Sequence, residues 1–279
     1  AVEECAVTAI VLTPTMVIMT LQDGDLAAHD LSSLRQLTYG GAPLAVKWIE
    51  RAAKSFSSAA IRQGYGLTET SCVLATLGKE EHAHAMADGD NALLHSVGRP
   101  LDEVSIRILD GGGREMKAGE AGEIVLRGPN VSPGYLNRPE ENAAAFRDGW
   151  FYTGDMGQGD ENGYLYLLDR KKDMIITGDE NVFSSDVEAV LYQHPNVHEA
   201  AVIGIPDERY GEALMAVIVP VPGTTISEEA MIAHCRGKIG GYKIPRRFAF
   251  LDEMPKSALG KILKTELRRV YASGTEEVK

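Results

Sequence analysis

Several things are missing from this sequence, and each absence removes a class of protein. No apolar run approaches the roughly 18 residues of a membrane-crossing helix. No basic-then-apolar segment of the export-signal kind is present. Cysteine is scarce: Cys5, Cys72 and Cys235 are odd in number, far apart and outside any CxxC pair. That disfavours a disulfide framework and fits buried free thiols in a reducing cytoplasm. Positive charge is in deficit, with 28 Lys and Arg against 40 Asp and Glu and a net charge of −12. A general nucleic-acid binder is therefore not expected, because duplex binding relies on neutralising phosphates. Internal repeats, low-complexity tracts and long linkers are also lacking. Position 1 is Ala, not Met, and it falls inside what reads as a strand–helix unit, so the chain is expected to be a fragment.

What is present is ordinary for a globular protein of one or two domains: 44% hydrophobic and 24% charged residues over 279 positions. "VTAIVL" (7–12) reads as a buried strand, and "PTMVIMTLQ" as a helix opened by proline. "LRQLTY" (34–39) is a second strand. Leu44, Ala45, Trp48, Ile49, Ala52, Ala53 and Phe56 then form one apolar stripe at helical spacing. "AIRQ" (60–63) is a third strand. This alternation predicts an α/β fold with a mostly parallel sheet covered by helices. After about residue 97, "EVSIRIL", "DGGG" and "GEIVLRG" predict a small β subdomain. The last hundred or so residues mix strands ("AAVIGI", "LMAVIV", "RFAFL") with helices near 185–193, 227–239 and 261–271, which predicts a compact α+β domain. The polar joint Asp169-Arg170-Lys171-Lys172-Asp173 is the expected boundary, giving domains 1–168 and 169–279.

Taken one at a time, the polar clusters leave alternatives open. Gly40-Gly41-Ala42-Pro43 follows a strand and lets a flat ligand approach the backbone; it also suits a tight strand-to-helix turn. Gly64-Tyr65-Gly66-Leu67-Thr68-Glu69 follows another strand, at the end where open α/β sheets bind ligands. It offers an aromatic face, a hydroxyl and a carboxylate, suited to a base, a phosphate oxygen and a hard metal ion. Tyr152-Thr153-Gly154-Asp155 presents a carboxylate for ribose hydroxyls, or a turn aspartate. "PKSALGK" (255–261) places Lys261 after Gly260. It is not a Walker loop: Pro255 stands where the first glycine belongs, and Ile262 where the hydroxyl belongs. Taken alone, Lys261 reads as a lysine in the first turn of a terminal helix. His82 and His84, in "EEHAHAMADGD", read as a solvated loop or helix face, and Met16 and Met19 as core. Tyr242-Lys243-Ile244-Pro245-Arg246-Arg247 is either a phosphate-attracting patch or a basic turn.

The clusters gain meaning from their order. "GGAP", "QGYGLTE", "GWFYTGD", "GYLYLLDRKKDMI", "GDENVFSSDVE" and "PKSALGK" follow one another along the chain. In this the sequence resembles the adenylate-forming superfamily of acyl-CoA synthetases, luciferases and peptide-synthetase adenylation domains. The likeness is closest to bacterial fatty-acyl- and aryl-CoA synthetases. It implies the later part of a large AMP-binding domain followed by a small mobile lid domain.

The same resemblance implies roles. Gly41, Ala42 and Pro43 would line the adenine pocket with Gln63, Gly64, Tyr65 and Gly66, the Tyr65 ring stacking on the base. Thr68 would touch the α-phosphate and Glu69 would hold Mg²⁺. Asp155 and Arg170 would bind the ribose. Asp169 would be the hinge. Lys172, Gly178 and Asp179 would face coenzyme A. Lys261 would bridge the carboxylate and the α-phosphate, with the positive end of the following helix aimed at the same place. The implied reaction joins a fatty or aromatic acid to ATP as an acyl-adenylate, then to coenzyme A as a thioester. The implied partners are small molecules, in the cytoplasm, with a homodimer as one assembly. A carrier-protein thiol as acceptor, or a non-catalytic nucleotide-binding remnant, are the competing readings.

The sequence also departs from the family pattern. The Ser/Thr/Gly-rich phosphate loop ending in Pro-Lys is absent, so this chain alone is not expected to adenylate. Asp179 stands where close members usually have glycine, adding bulk and charge near an anionic co-substrate. Ser184 replaces a frequent proline and is expected to cap the helix it opens. Leu259 replaces a commoner Ser or Thr.

Overall fold

The computed structural model describes residues 1–257 and 260–272. The chain forms two compact units that meet between Leu167 and Leu168.

The first unit opens with β1 (Ala9–Leu12), α1 (Pro14–Gln22), β2 (Gln36–Gly40), α2 (Val46–Ser55) and β3 (Ala60–Tyr65). These three strands pair in parallel, as the alternation of strands and helices predicts. The chain then reverses. Ser71 and Cys72 take left-handed backbone, at φ 54° and 91°. As a result β4 (Ala75–Leu77) returns antiparallel to β3, and β5 (Arg99–Pro100) is antiparallel to β4. Between them lie α3 (Lys79–Asp88) and α4 (Asn91–His95). The sheet is thus parallel over its first three strands and antiparallel at the far edge.

Its core gathers Val17, Leu37, Tyr39, Ile49, Ala52, Ile61, Ala85 and Leu94 from these strands and helices. In α1 the buried residues are Pro14, Val17 and Leu21, spaced along one face. Met16 and Met19 fall on the opposite face and are 48% and 65% exposed, so the expectation that they are core fails. Helical spacing identifies a stripe, but several apolar residues of α1 lie outside the buried one.

An antiparallel sheet follows: β6 (Ser105–Leu109), β7 (Gly122–Arg127), α5 (Pro139–Ala145), β8 (Phe146–Arg147), β9 (Trp150–Gly159) and β10 (Leu165–Arg170). The strand order is β10-β9-β7-β6, with β8 paired to β9.

The second unit contains β11 (Ile175–Thr177), β12 (Glu180–Val182), α6 (Ser184–Leu191), β13 (Val197–Asp207), β14 (Gly211–Pro220), α7 (Glu228–Cys235), β15 (Arg247–Phe250) and α8 (Lys264–Tyr271). β13 and β14 form a long antiparallel hairpin, and β15 runs parallel to β14. Val202, Leu214, Ala216 and Ile218 face α6 and α7 on one side. Ala201, Ile203, Met215 and Val217 face Leu267 of α8 on the other. Both faces are buried, so the two strands read as near-continuous apolar runs rather than alternating ones. The helix expected over 227–239 stops at Cys235, and Gly237 turns away at φ +77°. Among the described residues no helix is long and apolar enough to cross a membrane.

Candidate functional site

In the first unit, β2 and β3 run in register, Tyr39 opposite Gln63 and Gly40 opposite Gly64. β2 ends there and β3 one residue later, at Tyr65, and both open into loops. A Cβ built on Gly40 would lie 2.4 Å from the Gly64 carbonyl oxygen, so Gly40 must be bare for the strand ends to lie so close, whereas a Cβ on Gly64 would meet nothing nearer than 3.6 Å. Gly41 sits at φ +85° with open space where a Cβ would be, and Ala42 and Pro43 are exposed beside it. On the second loop, a Cβ at Gly66 would meet the Cys72 carbonyl oxygen at 1.8 Å. The two glycine clusters expected from the sequence are therefore brought side by side at strand ends.

The second loop continues into a short 3₁₀ turn, Thr68–Thr70. Thr68 is exposed. Glu69 is half-buried; its carboxylate accepts a 2.7 Å hydrogen bond from the Tyr135 hydroxyl, and its carbonyl accepts one from Ser132 N at 2.7 Å. The Tyr135 contact orients one carboxylate oxygen. It is a partner that sequence reasoning did not identify, because Tyr135 lies outside every motif.

Tyr65 and Asp155 meet directly. The Tyr65 hydroxyl donates to Asp155 Oδ2 at 2.7 Å. Asp155 is buried on β9 with its N–H on Thr153 Oγ1 at 3.0 Å, and that hydroxyl donates to the Ile124 carbonyl at 2.8 Å. Gly154, at φ +69°, makes the bend that presents the aspartate. The Tyr65 ring is almost wholly buried, among Leu74, Val97 and Ile124.

The Gln63 side chain is also buried, near Tyr39, whose hydroxyl lies 3.3 Å from Gln63 Oε1 and 3.0 Å from His82 Nε2. The solvated reading of His82 is thereby corrected: it is 1% exposed, on the face of α3 packed against β3. Burial lowers its pKa and raises that of Tyr39. His84 is on the open face and reaches Asp88 at 3.1 Å. Among the described residues no three His, Cys, Asp or Glu side chains cluster as a metal site. A hard cation at Glu69 would therefore take one carboxylate from the protein and its other ligands from phosphate and water, which suits Mg²⁺.

In the second unit, Asp169 is tied to the start of α6. Its Oδ2 accepts from Ser184 N and Ser184 Oγ, both at 2.6 Å, and from Ser185 N at 3.4 Å. The expected capping role of Ser184 is corrected. Ser184 is the first helical residue, and the cap is the aspartate fifteen positions upstream. Ser185 Oγ also donates to the Leu168 carbonyl. Lys264 Nζ reaches Ser184 Oγ at 2.6 Å and Glu188 Oε1 at 2.7 Å. Burial raises the Glu188 pKa, opposed by Lys264.

Arg170 and Lys172 are exposed beside this anchor, in a turn where Asp173 N and Met174 N donate to the Arg170 carbonyl. Gly178 and Asp179 are the two loop residues of the β11–β12 hairpin, at φ +57° and +67°, both exposed. In the Tyr242–Arg247 stretch, Lys243 is paired with Asp186 at 2.6 Å, and Arg246 lies 3.8 Å from the Tyr210 ring centre. Two of its cations are thus engaged within the unit.

Lys261 is exposed, but it is not in a helix. Ser257 N donates to its carbonyl at 2.8 Å, Gly260 turns at φ +77°, and α8 begins only at Lys264. Because Ile262 bridges back to Lys256, the chain is still extended where a first helical turn was expected. The helix-dipole support for Lys261 falls with it. Leu259, the other expected departure near this lysine, lies outside the described residues.

Comparison with known proteins supplies the wider setting. The pattern of the AMP-binding enzyme family matches residues 1–136, and that of the AMP-binding enzyme C-terminal domain matches residues 186–261. A feruloyl-CoA synthase of Amycolatopsis is 40% identical over 275 residues, which are 97% of this chain and 53% of that protein. The amide bond synthetase McbA of Marinactinospora thermotolerans is 36% identical with a TM-score of 0.85, over 97% of this chain and 54% of that one. The o-succinylbenzoate CoA synthetase of Bacillus subtilis, solved with its acyl-adenylate intermediate, is 33% identical with a TM-score of 0.84, over 100% and 52%. The chain spans about half the length of these proteins.

Proposed function

The chain belongs to the AMP-binding enzyme family, among the adenylate-forming acyl-CoA synthetases, and from this we propose that the protein it forms part of activates a carboxylic acid with ATP and passes the acyl group to coenzyme A. The acid is fatty or aromatic. Its carboxylate oxygen attacks the α-phosphorus, pyrophosphate leaves, and a thiol sulfur then attacks the acyl carbon and expels AMP. The observation that carries the reading is the 2.7 Å bond between Tyr65 and Asp155. It joins the loop proposed for the base to the strand proposed for the ribose, within one unit.

In this proposal Gly41, Ala42, Pro43, Gln63, Gly64, Tyr65 and Gly66 take the adenosine, with Asp155 and Arg170 on the ribose and Thr68 at the α-phosphate. Glu69 would hold Mg²⁺, which would supply positive charge for the phosphates. Lys261 offsets the repulsion between acid and phosphate, where a fixed cation in a dry cleft is worth far more than in water. Lys172, Gly178 and Asp179 face the acceptor. Asp169 is the hinge residue, its carboxylate anchored to α6. The cytoplasm and a homodimer belong to the same proposal.

The test is pyrophosphate release by the whole protein from ATP and a panel of short, medium, long-chain and aryl acids, followed by AMP release with coenzyme A, with a carrier-protein thiol, or with neither. Acid-dependent pyrophosphate release and coenzyme A-dependent AMP release are expected. Release with the carrier protein alone would reassign the acceptor. No acid-dependent release would leave a nucleotide-binding module.

A further inference from the structure

We propose that Tyr39 and His82 are a positioning pair that sets the spacing of the two adenosine loops; the inference rests on the adenylate-forming reading above. The pairing of these two parallel strands ends one residue after Tyr39 and Gln63, and the two loops follow. Gly40 and Gly64 come next, and neither has a side chain with which to hold the other. Tyr39 and Gln63 are thus the last cross-strand side-chain pair before the loops begin. Both are buried, and the Tyr39 hydroxyl lies between Gln63 Oε1 at 3.3 Å and His82 Nε2 at 3.0 Å.

The orientation of His82 is fixed from its other side. Its Nδ1 lies 2.9 Å from the Gly78 carbonyl oxygen, at the entry to α3. A carbonyl only accepts, so Nδ1 carries the proton. In the neutral ring Nε2 is then an acceptor and receives the hydrogen bond of the Tyr39 hydroxyl; that spends the hydroxyl's one proton, so the phenol oxygen meets Gln63 as an acceptor, with the amide turned to present its NH₂. The rings meet edge to face, with centroids 5.7 Å apart and planes at 86°. A hydroxyl buried this deeply must be paired, and the pairing leaves it one position. On the far side of β3, Thr76 Oγ1 donates to the Gln63 carbonyl at 2.8 Å. Helix α3 and strand β4 therefore hold the end of β3 from two directions. His82 is 1% exposed and can act only through Tyr39, on loops whose glycines supply no restraint of their own.

The test is titration of the wild-type chain and of Tyr39→Phe, His82→Leu and His82→Gln with AMP and with IMP, with thermal unfolding of each. The two bases differ at the 6-position, so discrimination between them reports how well the loops are placed. Tyr39→Phe and His82→Leu are expected to weaken AMP about 5- to 10-fold and to narrow the AMP-over-IMP preference. His82→Gln, whose amide oxygen can still accept the Tyr39 proton, is expected to recover most of both. Tyr39→Phe keeps the ring and its volume, so it carries the test if His82→Leu does not fold. AMP affinity and base preference equal to wild type in Tyr39→Phe, whatever its melting point, would overturn the inference. A wild-type chain without affinity for AMP would remove the nucleotide reading itself and this inference with it, a result distinct from loss in the variants alone.

Discussion

Asp169 Oδ2 accepts both the backbone N–H and the hydroxyl of Ser184 at 2.6 Å, so the first turn of α6 is capped by a residue outside the helix. The N-terminal amides of a helix have no partner within it, and a carboxylate there also meets the positive end of the helix dipole. Asp169→Ala is expected to cost about 1–2 kcal/mol. Asp169→Asn keeps an acceptor oxygen and should lose less. Urea denaturation followed by circular dichroism checks both; equal stability of the Ala variant and wild type would contradict the capping role.

At the β11–β12 turn, the left-handed backbone of both Gly178 and Asp179 matches a two-residue hairpin turn that favours glycine. Asp179 tolerates it better than a β-branched residue would, but not for free. Asp179→Gly should stabilise the chain by about 0.5–1 kcal/mol, and Asp179→Val should destabilise it by about 1–2 kcal/mol. If the negative charge also hinders the acceptor, Asp179→Gly in the whole protein raises the rate of the coenzyme A step. The stability and rate measurements separate the two effects.

Much of this architecture was legible in the sequence, and the failures share a cause. The runs "AAVIGI" and "LMAVIV" predict buried strands because a strand covered on both faces needs little else. The α1 helix was legible from Pro14 and its apolar content, but not which side faced inward; Met16 and Met19 show that. His82 sits in an acidic, alanine-rich stretch, and its burial is decided by Tyr39, 43 positions away. The Asp169–Ser184 cap, the Tyr65–Asp155 bond and the Glu69–Tyr135 bond are likewise contacts between distant positions. The glycine and polar clusters of the candidate site were visible as motifs, whereas the side chains that orient them were not.

Stability should depend on pH through His82. Burial lowers its folded pKa below the ordinary 6.5, so in that window the unfolded chain binds a proton that the folded chain does not. Stability is then fully present above about pH 6.5 and is lost as the pH falls toward the folded value. His194 is shifted in the same direction, by burial first and then by His234 and Lys238. Urea midpoints from pH 7.5 to pH 5 should fall for the wild type. The slope should be shallower in His82→Gln and, by the same sign, in His194→Gln. An unchanged slope in His82→Gln would show that the acid sensitivity arises elsewhere.

Lys261 is exposed and its backbone is held by Ser257, so its side chain contributes little that the fold would miss. Lys261→Ala should leave the melting temperature close to wild type. In the whole protein the same change should slow acyl-adenylate formation about 10²- to 10³-fold, the scale for loss of one fixed transition-state charge partner. Thioester formation from supplied acyl-adenylate needs no bridge between two anions and should be largely spared. Single-turnover measurement of each half-reaction decides the matter. Equal loss in both halves would mean that the lysine serves binding in general, and intact adenylation would mean that the cation is supplied by another residue.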